Sequence, residues 1–146
     1  EKFYHYTKHD NNVVLPVSRP YVMTRHSSGH WHLGKIRLEQ SFHIVGISNQ
    51  VVGMNLHKQF LIVKIVENKP GNSIYYWQIF NLAKEVDADS EHITKDNFKN
   101  KLEEFSIPAS IELKPPNAFY NKLKQSKRCH WFPQTDVTTQ NESLKQ

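Results

Sequence analysis

Residues 59–67 read QFLIVKIVE, residues 68–72 read NKPGN and residues 73–82 read SIYYWQIFNL. The first and third segments are β-branched and aromatic, the composition that suits a pleated, half-buried surface. The middle segment is built from turn residues, with Pro70-Gly71 at its centre. Two such runs across a Pro-Gly turn predict a β-hairpin. The chemistry then changes. Thr94 is placed to cap a helix, and Asp96 falls in its first turn, where a negative charge suits the helix dipole. Phe98, Leu102 and Phe105 follow at i, i+4 and i+7, one helix face that should be buried. Pro108 stops that helix, which is expected near residues 94–105. Residues 109–115, ASIELKP, return to an extended pattern. The grammar is a hairpin, a helix packed back on a sheet, and one more strand.

In residues 59–67 both alternating sets are apolar: Leu61, Val63 and Ile65 on one, Phe60, Ile62 and Val66 on the other, broken by Lys64. A strand apolar on both faces is covered on both. The helix carrying Phe98 covers one; the other would face a barrel interior.

Outward from this stretch the chain reads mainly as strands. Residues 2–7 and 21–26 read as strands, 30–39 as the hairpin partner of the latter across Ser27-Ser28-Gly29, and 40–47 and 51–56 as two more, with a turn at 48–50. Residues 9–20 read as a loop, because Pro16 and Pro20 disfavour a regular strand. Residues 116–123 suit a short helix. Strands in succession with short turns favour an antiparallel meander over a parallel sheet. Seven or eight strands with one clear helix suggest a closed barrel or a sandwich.

The 146 residues suffice for one domain with its own core, expected over residues 1–132, with a polar tail at 133–146. A 38% apolar and 12% aromatic share argues against disorder. No run approaches the length of a membrane-spanning helix. Cys129 is the single cysteine, so no internal disulfide forms. The net charge of +5 permits acidic partners without identifying one, and nine histidines will raise it in mild acid.

The order of parts resembles the lipocalin family, in which an eight-stranded up-and-down barrel is followed by an outer helix, a ninth strand and a cysteine. QFLIVKIVE and SIYYWQIFNLAKE are similar to the family's last two barrel strands, ITKDNFKNKLEEFSIPASIEL to its helix and following strand, and Cys129 to its last cysteine. The likeness is strongest over residues 59–129. Gly29-His30-Trp31 has the spelling of the family's Gly-x-Trp signature but comes about two strands too late, and the usual partner of Cys129 is missing. The resemblance is to a divergent or abbreviated member. It implies a secreted, non-catalytic carrier that holds a small hydrophobic molecule in a barrel cavity, without a cofactor. Leu61, Val63, Ile65, Tyr75 and Trp77 are the expected cavity residues on one side, with Ile36, Leu38, Phe42 and Ile44 as the opposite wall.

Four other chemistries have residues to offer. Lys122, Lys124, Lys127 and Arg128 beside Trp131 and Phe132 combine charge with stackable rings, as single-stranded nucleic acid or an acidic protein would require; no established recognition motif accompanies them, and a solvated basic tail explains them as well. His30 and His32, with His26 or His43, could supply imidazoles to zinc or copper. Surface histidines in a histidine-rich chain are the commoner outcome, and no metal is expected. His5-x-Thr7 and His92-x-Thr94 spell paired His-x-Thr motifs, as in two-histidine phosphoesterases, but His92-Ile93-Thr94 fits better as a helix entry. Cys129 and His130 are adjacent, an arrangement that rarely orients a nucleophile and its base.

Overall fold

The computed structural model describes residues 8–9, 12–18, 20–37, 43–83 and 91–126. These form strands β1 (Lys8–His9), β2 (Asn12–Ser18), β3 (Tyr21–Arg25), β4 (Trp31–Arg37), β5 (His43–His57), β6 (Phe60–Lys69) and β7 (Asn72–Asn81), then helices α1 (Lys95–Glu104) and α2 (Pro116–Ser126). The fold is mainly β: antiparallel strands in one sheet, ordered β1 to β7 as in the chain, plus two helices. Among the described residues no pairing returns β7 to β1, so the sheet is not closed into a barrel. The chain divides into two compact units, residues 1–48 with 116–146 and residues 49–115.

In the unit of residues 49–115, β6 and β7 pair over their whole length, from Phe60↔Asn81 to Lys69↔Asn72. The turn is thus only Pro70-Gly71, shorter than the expected five residues. Proline fixes the first position and Gly71, at φ 75°, supplies the left-handed second one. The extended strands keep the predicted hairpin. The expected turn at residues 48–50 is absent, because β5 runs unbroken through it and its irregularity is a register shift between Val51 and Gly53. Gly53 suits the close approach there: a Cβ would lie 3.1 Å from Leu113 Cβ, a tight contact that Leu113 would have to yield to by a few tenths of an ångström. The chain returning from α1 passes that close, held by the paired backbone bonds of Met54 and Lys114 at 2.8 and 3.0 Å. The expected last strand is reduced to this single bridge.

Helix α1 falls where the spacing predicts it. Thr94 occupies the N-cap position with extended backbone, although its hydroxyl makes no capping bond. Its end is made before Pro108. Ser106 enters the left-handed region at φ 56°, its N–H donates to the Glu103 carbonyl at 3.0 Å, and the Ile107 N–H donates to the Leu102 carbonyl at 2.8 Å. This is a Schellman closure, with its usual apolar contact between Leu102 and Ile107. Leu102 joins Phe60, Ile62 and Ile107 in a buried cluster, while Phe98 and Phe105 pack beside it half-buried rather than buried as expected.

In the other unit, β2 occupies residues expected to be a loop. Pro16 sits at an irregularity, where the β2–β3 register shifts between Pro16 and Ser18, the kind of position at which a strand accepts proline. β3 and β4 pair from Tyr21↔Lys35 to Arg25↔Trp31. Helix α2 buries Pro116, Phe119 and Leu123.

Candidate functional site

Directly opposed residues of antiparallel strands share a face. The register therefore sorts β5–β7 into two surfaces. One carries Ile62↔Ile79, Lys64↔Trp77 and Val66↔Tyr75, and it is the surface on which α1 packs. The other carries Leu61↔Phe80, Val63↔Gln78 and Ile65↔Tyr76, extended across β5 by Met54 opposite Val63 and Val51 opposite Ile65. On this second surface Met54, Leu61, Val63 and Ile65 are fully buried. Its buried polar members are Gln78 and Tyr76, whose hydroxyl accepts from Asn49 Nδ2 at 3.4 Å. The Tyr76 ring stacks on His92 at 4.1 Å.

The expected site residues are thus divided. Leu61, Val63 and Ile65 lie together on the second surface, but Tyr75 and Trp77 belong to the helix side. There Trp77 stacks on Phe98 at 5.2 Å, and the Lys64 ammonium lies over the Trp77 and Tyr75 rings at 5.5 and 4.9 Å. That explains the lysine in an apolar run: it caps two aromatic faces, and Tyr75 remains half exposed. Ile36 is buried within the other unit. Leu38 and Phe42 lie outside the described residues, and of Ile44 only its place in β5 is described. Val51, Met54, Tyr76, Gln78 and Phe80 share this second surface and were not among the expected site residues. Alternation from Leu61 through the pairing register would have found them, but a register cannot be read without knowing where the turn residues stop.

The histidine-rich end of the β3–β4 hairpin is a tight turn: the Gly29 N–H donates to the His26 carbonyl at 2.8 Å and the His26 N–H to the His30 carbonyl at 3.0 Å. The His26 and His32 rings meet edge to face at 4.7 Å. His32 Nδ1 lies 3.4 Å from the Ser48 carbonyl; a carbonyl only accepts, so Nδ1 carries the hydrogen. Burial holds the His32 imidazole below its ordinary pKa; the Ser48 carbonyl opposes this, and His26 and His30 reinforce it. His26 and His30 are exposed, and among the described residues no three His, Cys, Asp or Glu side chains form a group that could hold a metal. His92-Ile93-Thr94 enters α1, with Ile93 bridged to Trp77. Lys122 and Lys124 are exposed on α2; Lys127, Arg128, Cys129, His130, Trp131 and Phe132 lie outside the described residues, as do His5 and Thr7.

A second polar cluster sits where α2 meets β3 and β4. Arg25 Nη1 and Trp31 Nε1 both donate to Asn117 Oδ1, at 3.0 and 2.9 Å. The Arg25 guanidinium stands 5.4 Å from the centres of both the Trp31 and Tyr120 rings, and Lys124 Nζ lies at the same distance from Tyr120.

No family model matches this chain, and no curated protein or solved structure does either.

Proposed function

We propose that this protein binds a small hydrophobic molecule without transforming it, and that the second surface of β5–β7 is the wall on which that molecule rests. The observation that carries the reading is the composition of the buried part of that surface: Val51, Met54, Leu61, Val63, Ile65 and Phe80, with Gln78 and Tyr76 as its polar members. Apolar lining with a few polar groups is the usual make-up of a small-molecule site. A sheet curled so that this surface turns inward, as in a lipocalin-like barrel, is part of the proposal, as are a place among divergent lipocalins and secretion. The meander followed by an outer helix at 95–104 supports it.

The test is displacement of a fluorescent lipophilic probe at low and high salt. The expected result is saturable, nearly salt-independent binding that Val63→Phe weakens and Phe98→Ala, on the opposite surface, leaves intact. Absence of saturable binding by the folded protein refutes the carrier reading. So does oligonucleotide binding in its place with a salt slope of about −0.7 per phosphate.

A further inference from the structure

We infer that Arg25 and Asn117 form a receptor for a single oxyanion group, a phosphate, sulfate or carboxylate, at the junction of α2 with β3 and β4. Arg25 and Trp31 are donor-only side chains, and both address the same atom of Asn117, at 3.0 and 2.9 Å. That atom must be the amide oxygen, which fixes the amide orientation and leaves Nδ2 as a donor. No acceptor among the described residues takes a hydrogen bond from Asn117 Nδ2 or from the remainder of the Arg25 fork. The fork is also held in place: its guanidinium stands over Trp31 and Tyr120, 5.4 Å from each ring centre, and one nitrogen is tied to Asn117. Lys124 adds a second cation over the Tyr120 ring.

The unit that holds this cluster is basic over its sequence. Residues 1–48 and 116–146 hold 11 Lys and Arg against 5 Asp and Glu, whereas residues 49–115 hold 8 against 9. An immobilised guanidinium beside an amide donor is matched by a ligand that brings acceptors and negative charge. As a structural staple between α2 and the hairpin the cluster uses only the bonds to Asn117 Oδ1; the remaining donors are open to solvent, and so to a ligand.

Asn117→Asp separates the two roles. An aspartate accepts from Arg25 and Trp31 as the amide does, so the staple survives, but it neutralises Arg25 and removes the Nδ2 donor. The experiment titrates inorganic phosphate at constant ionic strength into the full chain and follows the Asn117 side-chain amide and the Trp31 indole N–H by two-dimensional NMR. Saturable shifts of both signals are expected. Arg25→Lys, which keeps the charge but loses the fork, is expected to weaken binding by about tenfold, the value of one charge-assisted hydrogen bond. Asn117→Asp, read on the Trp31 indole, is expected to abolish binding while unfolding no earlier than the native chain. A parallel arm uses phosphatidylcholine vesicles with and without phosphatidic acid. Binding of free phosphate alone assigns a soluble oxyanion, and added vesicle binding that Asn117→Asp removes assigns a lipid-borne phosphate. Shifts that never saturate, or that persist unchanged in Asn117→Asp, overturn the receptor and leave the staple.

Discussion

The two helices are fastened to their strands by opposite means. Helix α1 is held by an apolar seam, in which Leu102 sits with Phe60, Ile62 and Ile107. Two ion pairs of Lys101, to Glu91 and Glu104 at 3.2 Å each, raise the Lys101 pKa but lie at the surface, where such pairs contribute little. Helix α2 also buries Phe119 and Leu123, but its sequence-distant contacts include one amide oxygen shared by an arginine and an indole. An apolar seam is non-directional and tolerates small adjustments. A shared acceptor is directional and fails when one atom is changed. The α1 seam should therefore lose the most stability to truncation of its centre. Leu102→Ala is expected to cost about 2–5 kcal/mol in urea unfolding, and Phe98→Ala, half-buried at the edge, less than that. A larger loss for Phe98 than for Leu102 would place the centre of the seam at the wrong residue.

The next effect belongs to α2. Asn117→Ala removes the acceptor of a tryptophan that is only 4% exposed, leaving its indole N–H unpaired. The expected cost is about 1–3 kcal/mol by thermal unfolding. Asn117→Asp, which keeps the acceptor, is expected to spare this cost. Equal losses in the two variants would mean that the amide shape, not its oxygen, fastens the helix.

This contrast also explains what could be read in the sequence. Phe98, Leu102 and Phe105 announce α1 because an apolar seam repeats with the helix period, and Pro-Gly announces the β6–β7 turn through backbone chemistry. Arg25, Trp31 and Asn117 announce nothing: they are single polar or aromatic residues up to 92 positions apart, and only the folded chain brings them together. Face assignment failed for a related reason. Alternation along β7 separates Tyr75 and Trp77 from Tyr76 and Phe80, but which set meets the helix depends on register. The strand at Asn12–Ser18 escaped notice because proline is hostile to a regular strand and tolerable at a register irregularity, which here falls between Pro16 and Ser18. The turn expected at residues 48–50 rested on polar composition alone, which β5 overrides by pairing.

Smaller gains are available where the backbone departs from what side chains prefer. Ser106 closes α1 at φ 56° and Lys58 turns β5 into β6 at φ 52°. Both positions favour glycine. Ser106→Gly and Lys58→Gly are each expected to raise stability by about 0.5–1 kcal/mol, the left-handed strain relieved less the added freedom of the unfolded chain. Destabilisation by Ser106→Gly would show that the serine hydroxyl contributes to the closure; the same result at Lys58 would point to the lysine side chain.

The smallest effect distinguishes the two units by pH. His32 is packed against His26 and bonded to the Ser48 carbonyl, and its pKa is lowered in the folded chain chiefly by burial. The unfolded chain then binds a proton more readily than the folded one, so stability rises with pH through this range. On acidification the loss begins near the ordinary histidine value of about 6.5 and levels off once the folded-state pKa has been passed. Protonation would leave the Nδ1–H bond to Ser48 in place and set a cation beside His26 and His30, which is why the loss is gradual rather than a collapse. His32→Gln keeps a donor for the carbonyl but does not titrate, so it should flatten the slope between about pH 7 and pH 5. A wild-type chain that grows more stable over that interval would show that protonated His32 finds a partner in the fold. A slope unchanged in His32→Gln would move the titration to another group.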